Sequence, residues 1–160
     1  MVTWNTKPSW DAKPTRAPIT ETIDRFVDSF NVQDLDLAMS FFAEDAEYRP
    51  GDGAVHRGLA QIRAAFVPIF SGKFGLVTFD EHDRLIDEQQ RRAAIRWTCR
   101  LDLAPEHTRG TTSVLRWALR ARYGSRMRWE GTDIFHFDEE LRITGKYTYA
   151  SFRRPIMLKG

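Results

Sequence analysis

The stretch MRWEGTDIFHF, residues 127–137, carries an acidic residue where alternation calls for an apolar one. If successive side chains point to opposite faces, Met127, Trp129, Gly131, Asp133, Phe135 and Phe137 share one row. Every member except Asp133 is apolar or glycine, so the row is built to face a core. A carboxylate in such surroundings loses hydration, which disfavours its charged form. It would keep its proton near neutral pH, and could then donate a hydrogen bond to an oxyanion or act as a general acid/base. The competing reading is structural: Asp133 pairs with an arginine or caps a bulge near Gly131.

Further polar candidates are Tyr48, His56, Trp97, Cys99, Tyr147 and Tyr149. Tyr147 and Tyr149 are placed on a face with Ile143 in the last strand, where their rings would pack while their hydroxyls seek partners. Core or interface packing is the plainer role for each. His56 and Arg57 directly precede a helix; a histidine there could carry protons or simply be solvated. Cys99 is the sole cysteine, so there is no internal disulfide or zinc spacing, and it reads as a small core residue. The histidines at 56, 82, 107 and 136 show no H-x-x-x-H or H-x-H spacing, and no metal site is expected. Phosphate-cradling glycine loops and G-x-S-x-G are missing as well, so neither a nucleotide cofactor nor a serine hydrolase is indicated.

These residues need elements to position them. Ile23, Phe26, Val27 and Phe30 recur at i, i+3, i+4, i+7, a helical stripe with Thr20 as its expected cap. Asp34 caps a second helix carrying Leu37, Ala38, Phe41 and Phe42. AEYRP is a short strand stopped by Pro50, and residues 59–70 form a third helix bent or frayed near Pro68. Strands follow at 76–87 and 91–103, the second with Ala93, Ile95, Trp97, Cys99 and Leu101 on one face and Arg96 and Arg100 on the other. A helix at about 112–123 ends at Gly124, and strands at 126–137 and 141–152 complete the chain.

The 160 residues suit one domain, here 20–152, with an extended arm at 1–19 and a tail at 153–160. Charged residues make up 29% and the net charge is +2, which does not call for nucleic acid. Residues 21–52 hold nine acids against two arginines, whereas 109–128 hold six arginines and no acid. Arginines beside an acidic third more often pair within the protein or across a dimer than bind phosphate. The first residues lack the apolar core of a signal peptide, and no apolar run reaches roughly 18 residues. A cytoplasmic protein without membrane contact is expected.

Helices followed by a long sheet make an α+β layout. In order and spacing, FNVQDLDLAMSFFAEDAEYRPGDGAVHRGLAQIRAAF and WEGTDIFHFDEELRITGKYTYASF resemble the nuclear transport factor 2-like superfamily, in its SnoaL-like branch. Ketosteroid isomerase shares that fold. The resemblance covers roughly residues 20–152, and the 112–123 helix looks like an insertion into it. It implies a cone-shaped barrel, a curved antiparallel sheet covered by three N-terminal helices around an apolar pocket, and a homodimer. Phe26, Phe30, Trp97, Trp129, Phe135, Tyr147 and Tyr149 would line the pocket. D-I-F-H-F aligns Asp133 with the isomerase's oxyanion-binding acid, with Tyr48 and His56 as helpers. The isomerase's helix-one tyrosine falls at Phe26, and its general base falls near Pro50–Asp52, so steroid isomerisation is not supported. Two functions stay open. One is a cofactor-independent isomerase, cyclase or dehydratase acting on a small apolar carbonyl or polycyclic molecule. The other is a binding or scaffold protein without turnover.

Overall fold

The computed structural model describes residues 18–72, 75–103, 118, 120–122, 124 and 126–151. Most of the N-terminal arm, the C-terminal tail and most of the 112–123 helix lie outside the described residues; 118 and 120–122 are helical.

Helix α1 spans Pro18–Asn31 and buries Ile19, Ile23, Phe26 and Phe30. It starts before the expected Thr20 cap, because Pro18 suits a first helical turn, where its missing N–H leaves no bond unmade. Helix α2, Leu35–Ser40, is capped as expected, the Asp34 carboxylate accepting from the Leu37 N–H at 2.9 Å. Strand β1 (Phe42–Arg49) starts earlier than AEYRP and takes Phe42 from the helix face assigned to it. Strand β2 (His56–Arg57) is brief, and helix α3 (Gly58–Phe70) contains Pro68 within its last turn.

Strands β3 (Leu76–Asp87), β4 (Arg92–Asp102), β5 (Arg126–Phe137) and β6 (Ile143–Ser151) complete a six-stranded sheet in the order β2-β1-β6-β5-β4-β3. The sheet is curved but unclosed, and it is mixed, since β1 runs parallel to β6. Helix α1 packs against β3 and α3 against β1, with α2 packed on both helices, so these elements sit on the concave side with the aromatic core. Phe26 is the hub of that core, with edge-on contacts to Phe30, Phe41, Phe42 and Phe135. Such contacts hold the helix layer to the sheet through both burial and ring geometry. Among the described residues, no helix is long and apolar enough to cross a membrane.

Besides a shift in β1 between Phe42 and Glu47, two register shifts decide which side chains of β3 and β6 face inward. One lies between Glu81 and Asp83 in β3. The other lies at the start of β6, where Phe137 pairs with Ile143 but His136 pairs with Gly145, leaving Thr144 as the extra residue. One extra residue reverses the parity of everything beyond it.

Candidate functional site

The odd row of β5 faces the concave side as the alternation requires: Gly131, Asp133, Phe135 and Phe137 are all buried. Its glycine has a steric cause. A Cβ at Gly131 would lie 2.4 Å from the Trp97 ring, because the indole on β4 rests across that position. Trp97 is thereby fixed into the wall of a cavity of about 450 Å³, within the range of small-molecule sites. Phe26 and Phe30 of α1, Phe79 of β3 and Trp129 of β5 supply further apolar wall.

Asp133 also lines this cavity and is 5% exposed, but it is not the isolated acid expected from its row. Its Oδ2 lies 2.7 Å from Lys146 Nζ, and its Oδ1 accepts from the Thr148 hydroxyl at 2.6 Å. Lys146 Nζ donates in turn to Thr148 Oγ1 at 2.9 Å. The structural alternative, a cationic partner, therefore holds, with lysine in place of arginine. An oxygen facing an ammonium and a hydroxyl donor is an acceptor, so the role of a protonated donor to an oxyanion is corrected to that of a paired carboxylate.

Lys146 and Thr148 reach the cavity because of the bulge. Beyond Thr144 the inward row of β6 is Lys146, Thr148 and Ala150, opposite Phe135, Asp133 and Gly131. Tyr147 and Tyr149 stand opposite Ile134 and Thr132, on the outer face, and neither lines the cavity. Tyr149 is exposed, and Tyr147 packs on His136 with ring centroids 5.2 Å apart. Their expected place in the pocket is corrected for that reason. Gly145 beside the bulge is the sequence signal that could have revealed it, since glycine inside a strand often marks one.

Tyr48, opposite Lys146 across the parallel β1–β6 pair, is buried in the cavity wall. Burial pushes its phenol above the ordinary tyrosine range, helped by the Asp133 charge, while a hydrogen bond with Thr148 opposes the shift. Lys146 Nζ sits 5.1 Å from the Tyr48 ring centre and 5.6 Å from that of Phe135, a cation held between aromatic faces. Phe135 is wholly buried and belongs to the core behind the cavity, not to its lining. His56 stacks on Tyr48 at 5.9 Å without lining the cavity. Asp52 stands exposed at the mouth, its Oδ1 accepting from the Ala54 N–H at 2.8 Å. Burial, with Asp133 nearby, pushes the Cys99 thiol up to about 12, so it stays an unreactive wall residue.

Besides Lys146 and Thr148, two further features escaped the sequence reading. The Trp97 indole N–H is buried without a hydrogen-bond partner among the described residues. Glu81 enters the cavity from β3 and is held by Arg84 at 2.5 Å, whose guanidinium also meets Asp24 at 2.8 Å. Among the described residues, no group of three His, Cys, Asp or Glu side chains is placed to hold a metal ion.

A family model of the SnoaL-like domain matches residues 23–145. No functionally curated protein matches the chain in sequence. Among solved structures it is similar to SalBIII, described as an epoxide hydrolase/cyclase-like enzyme with a role in pyran ring formation in the polyether salinomycin. The two share 18% identity over 84% of this chain and 91% of that one, with a TM-score of 0.63. An NTF2-like protein of unknown function from Mesorhizobium loti is 18% identical, covering 83% of this chain and 90% of that one, with a TM-score of 0.60. A cystatin-like-fold protein of unknown function from Methylobium petroleophilum is 16% identical, covering 89% and 81%, also with a TM-score of 0.60. At these identities the likeness is one of fold.

Proposed function

Since the chain belongs to the SnoaL-like domain family, we propose that it is a cofactor-independent enzyme moving protons on a small, largely apolar carbonyl or polycyclic molecule. The observation that carries this reading is a carboxylate, an ammonium and a hydroxyl joined by contacts of 2.6–2.9 Å on the wall of an otherwise apolar cavity. A structural ion pair serves as well on an outer surface, at less desolvation cost. Placing it against a ligand-sized space gives the charges something to act on.

In this reading Asp133 accepts a proton from carbon α to the substrate carbonyl, or from a hydroxyl that attacks to close a ring. Lys146 and the Tyr48 phenol face the oxygen on which charge develops, and preorganised donors in a dry site are worth most there. Tyr48 suits the part because its raised pKa keeps the proton on. His56 supports the Tyr48 ring instead of carrying protons, being outside the wall. Isomerisation, aldol-type cyclisation and dehydration all use these steps. The likeness to an epoxide hydrolase/cyclase-like enzyme supports cyclisation among them.

A homodimer belongs to the same reading, packing through the outer sheet face, where Arg96 meets Asp83 at 2.6 Å and Arg100 meets Asp80. The second reading is a binding protein, favoured by Phe26, which stands where the isomerase's helix-one tyrosine would bring a phenol. Asp133→Asn separates the two in a screen of apolar carbonyl compounds. Turnover by the native protein that is lost in a folded, ligand-binding variant supports the enzyme. Binding without turnover by either form supports the carrier.

A further inference from the structure

Lys146 is placed for more than holding Asp133. It is 5% exposed, and Thr148, Asp133, Tyr48 and Phe135 surround its Nζ at the distances given above. Of the three hydrogens on an ammonium, two are engaged by these oxygens. A surface lysine is kept charged by water; this one relies on a carboxylate and two ring faces. A proton passed across the 2.7 Å contact converts the ion pair into an amine and a carboxylic acid.

We propose that Lys146 forms a Schiff base with an apolar aldehyde or ketone held in the cavity, with Asp133 carrying the protons. This rests on the acid/base reading and gives it a covalent form. The ammonium gives one proton to Asp133, and the neutral amine adds to the carbonyl carbon. The attacking nitrogen then passes one of its hydrogens to the carbonyl oxygen, giving a neutral carbinolamine whose hydroxyl takes the proton back from Asp133 and leaves as water. The product is an iminium cation beside a carboxylate, so charge and atoms balance. That cation draws electrons from the adjacent carbon, which eases loss of an α-proton or of a carbon–carbon bond. Aldehydes and ketones are the matching class, because ester and amide carbonyls do not condense with an amine in this way.

The test uses the full chain with 2-naphthaldehyde and sodium cyanoborohydride at neutral pH. Quenching of tryptophan emission reports entry beside Trp97 and Trp129, and peptide mass mapping locates the reduced adduct. The expected result is labelling of Lys146 at least about tenfold above Lys7, Lys13, Lys73 or Lys159, as an activated amine requires. Lys146→Arg, which keeps a cation for Asp133 but has no condensing amine, should still quench and lose the adduct. Quenching without preferential labelling of Lys146 overturns the Schiff base and leaves acid/base chemistry standing. Absence of quenching overturns both. If the arginine variant does not fold, the adduct map of the native protein still decides.

Discussion

Lys146 is the diagonal neighbour of Asp133, not its direct partner. Phe135 stands opposite Lys146 and Thr148 opposite Asp133, so the lysine leans along the sheet to reach the carboxylate at 2.7 Å. The Thr148 hydroxyl fills the direct position and bonds to both. With side chains only 7% and 8% exposed, neither charge has water to fall back on.

Breaking that pair from one side should therefore be costly. Lys146→Met or Asp133→Leu alone should each lose about 3–5 kcal/mol, the usual result of stranding a buried charge. The double variant should be more stable than either single one, because no charge is left uncompensated. Urea unfolding of the four proteins measures this, and additive losses would contradict it.

Gly131 should tolerate no side chain. In Gly131→Ala the new methyl meets the Trp97 ring at 2.4 Å, and Trp97 is packed edge-on by Phe79 with centroids 5.2 Å apart. Overpacking of this kind costs about 1–3 kcal/mol. Thermal unfolding should show the loss, and Trp97→Phe in the same chain should recover part of it.

The Tyr48 phenol should resist ionisation. Its pKa is raised, first by burial and then by Asp133, so its contribution to stability is full below the unfolded value of about 10. That contribution is lost as pH rises above about 10 toward the folded pKa, because the unfolded chain releases the proton first. In a titration followed by ultraviolet absorbance, one of the four tyrosines should ionise only with unfolding, and Tyr48→Phe should abolish that step. Smooth titration of all four in the folded protein would contradict the placement.

Much of the architecture could be read from the chain because its signals were local. The Asp34 cap, the stripe of Ile23, Phe26 and Phe30, and the inward rows of β4 and β5 each rest on spacing within one element. The cavity walls Phe26, Phe30, Trp97 and Trp129 follow from those rows. Polar partners were harder to read, because they depend on register between strands. A strict period-two reading of β6 sends Tyr147 and Tyr149 inward, and the extra residue at Thr144 sends Lys146 and Thr148 there instead. The same shift between Glu81 and Asp83 puts Arg84 on the inner face of β3 with Glu81, a pairing that alternation alone forbids. Asp133 was found from its row, and its partner was missed for want of one bulge.

The most direct measurement is the rate of α-proton exchange into apolar cyclic ketones in D₂O, followed by NMR, with native protein and with Asp133→Asn. It needs no knowledge of the natural substrate, only that the cavity admit the ketone and that Asp133 take its proton. Exchange above the buffer rate with the native protein, falling by about 10²-fold or more in a folded Asp133→Asn variant, is the predicted result. Exchange at the buffer rate with ketone bound, or equal rates for the two proteins, would contradict it.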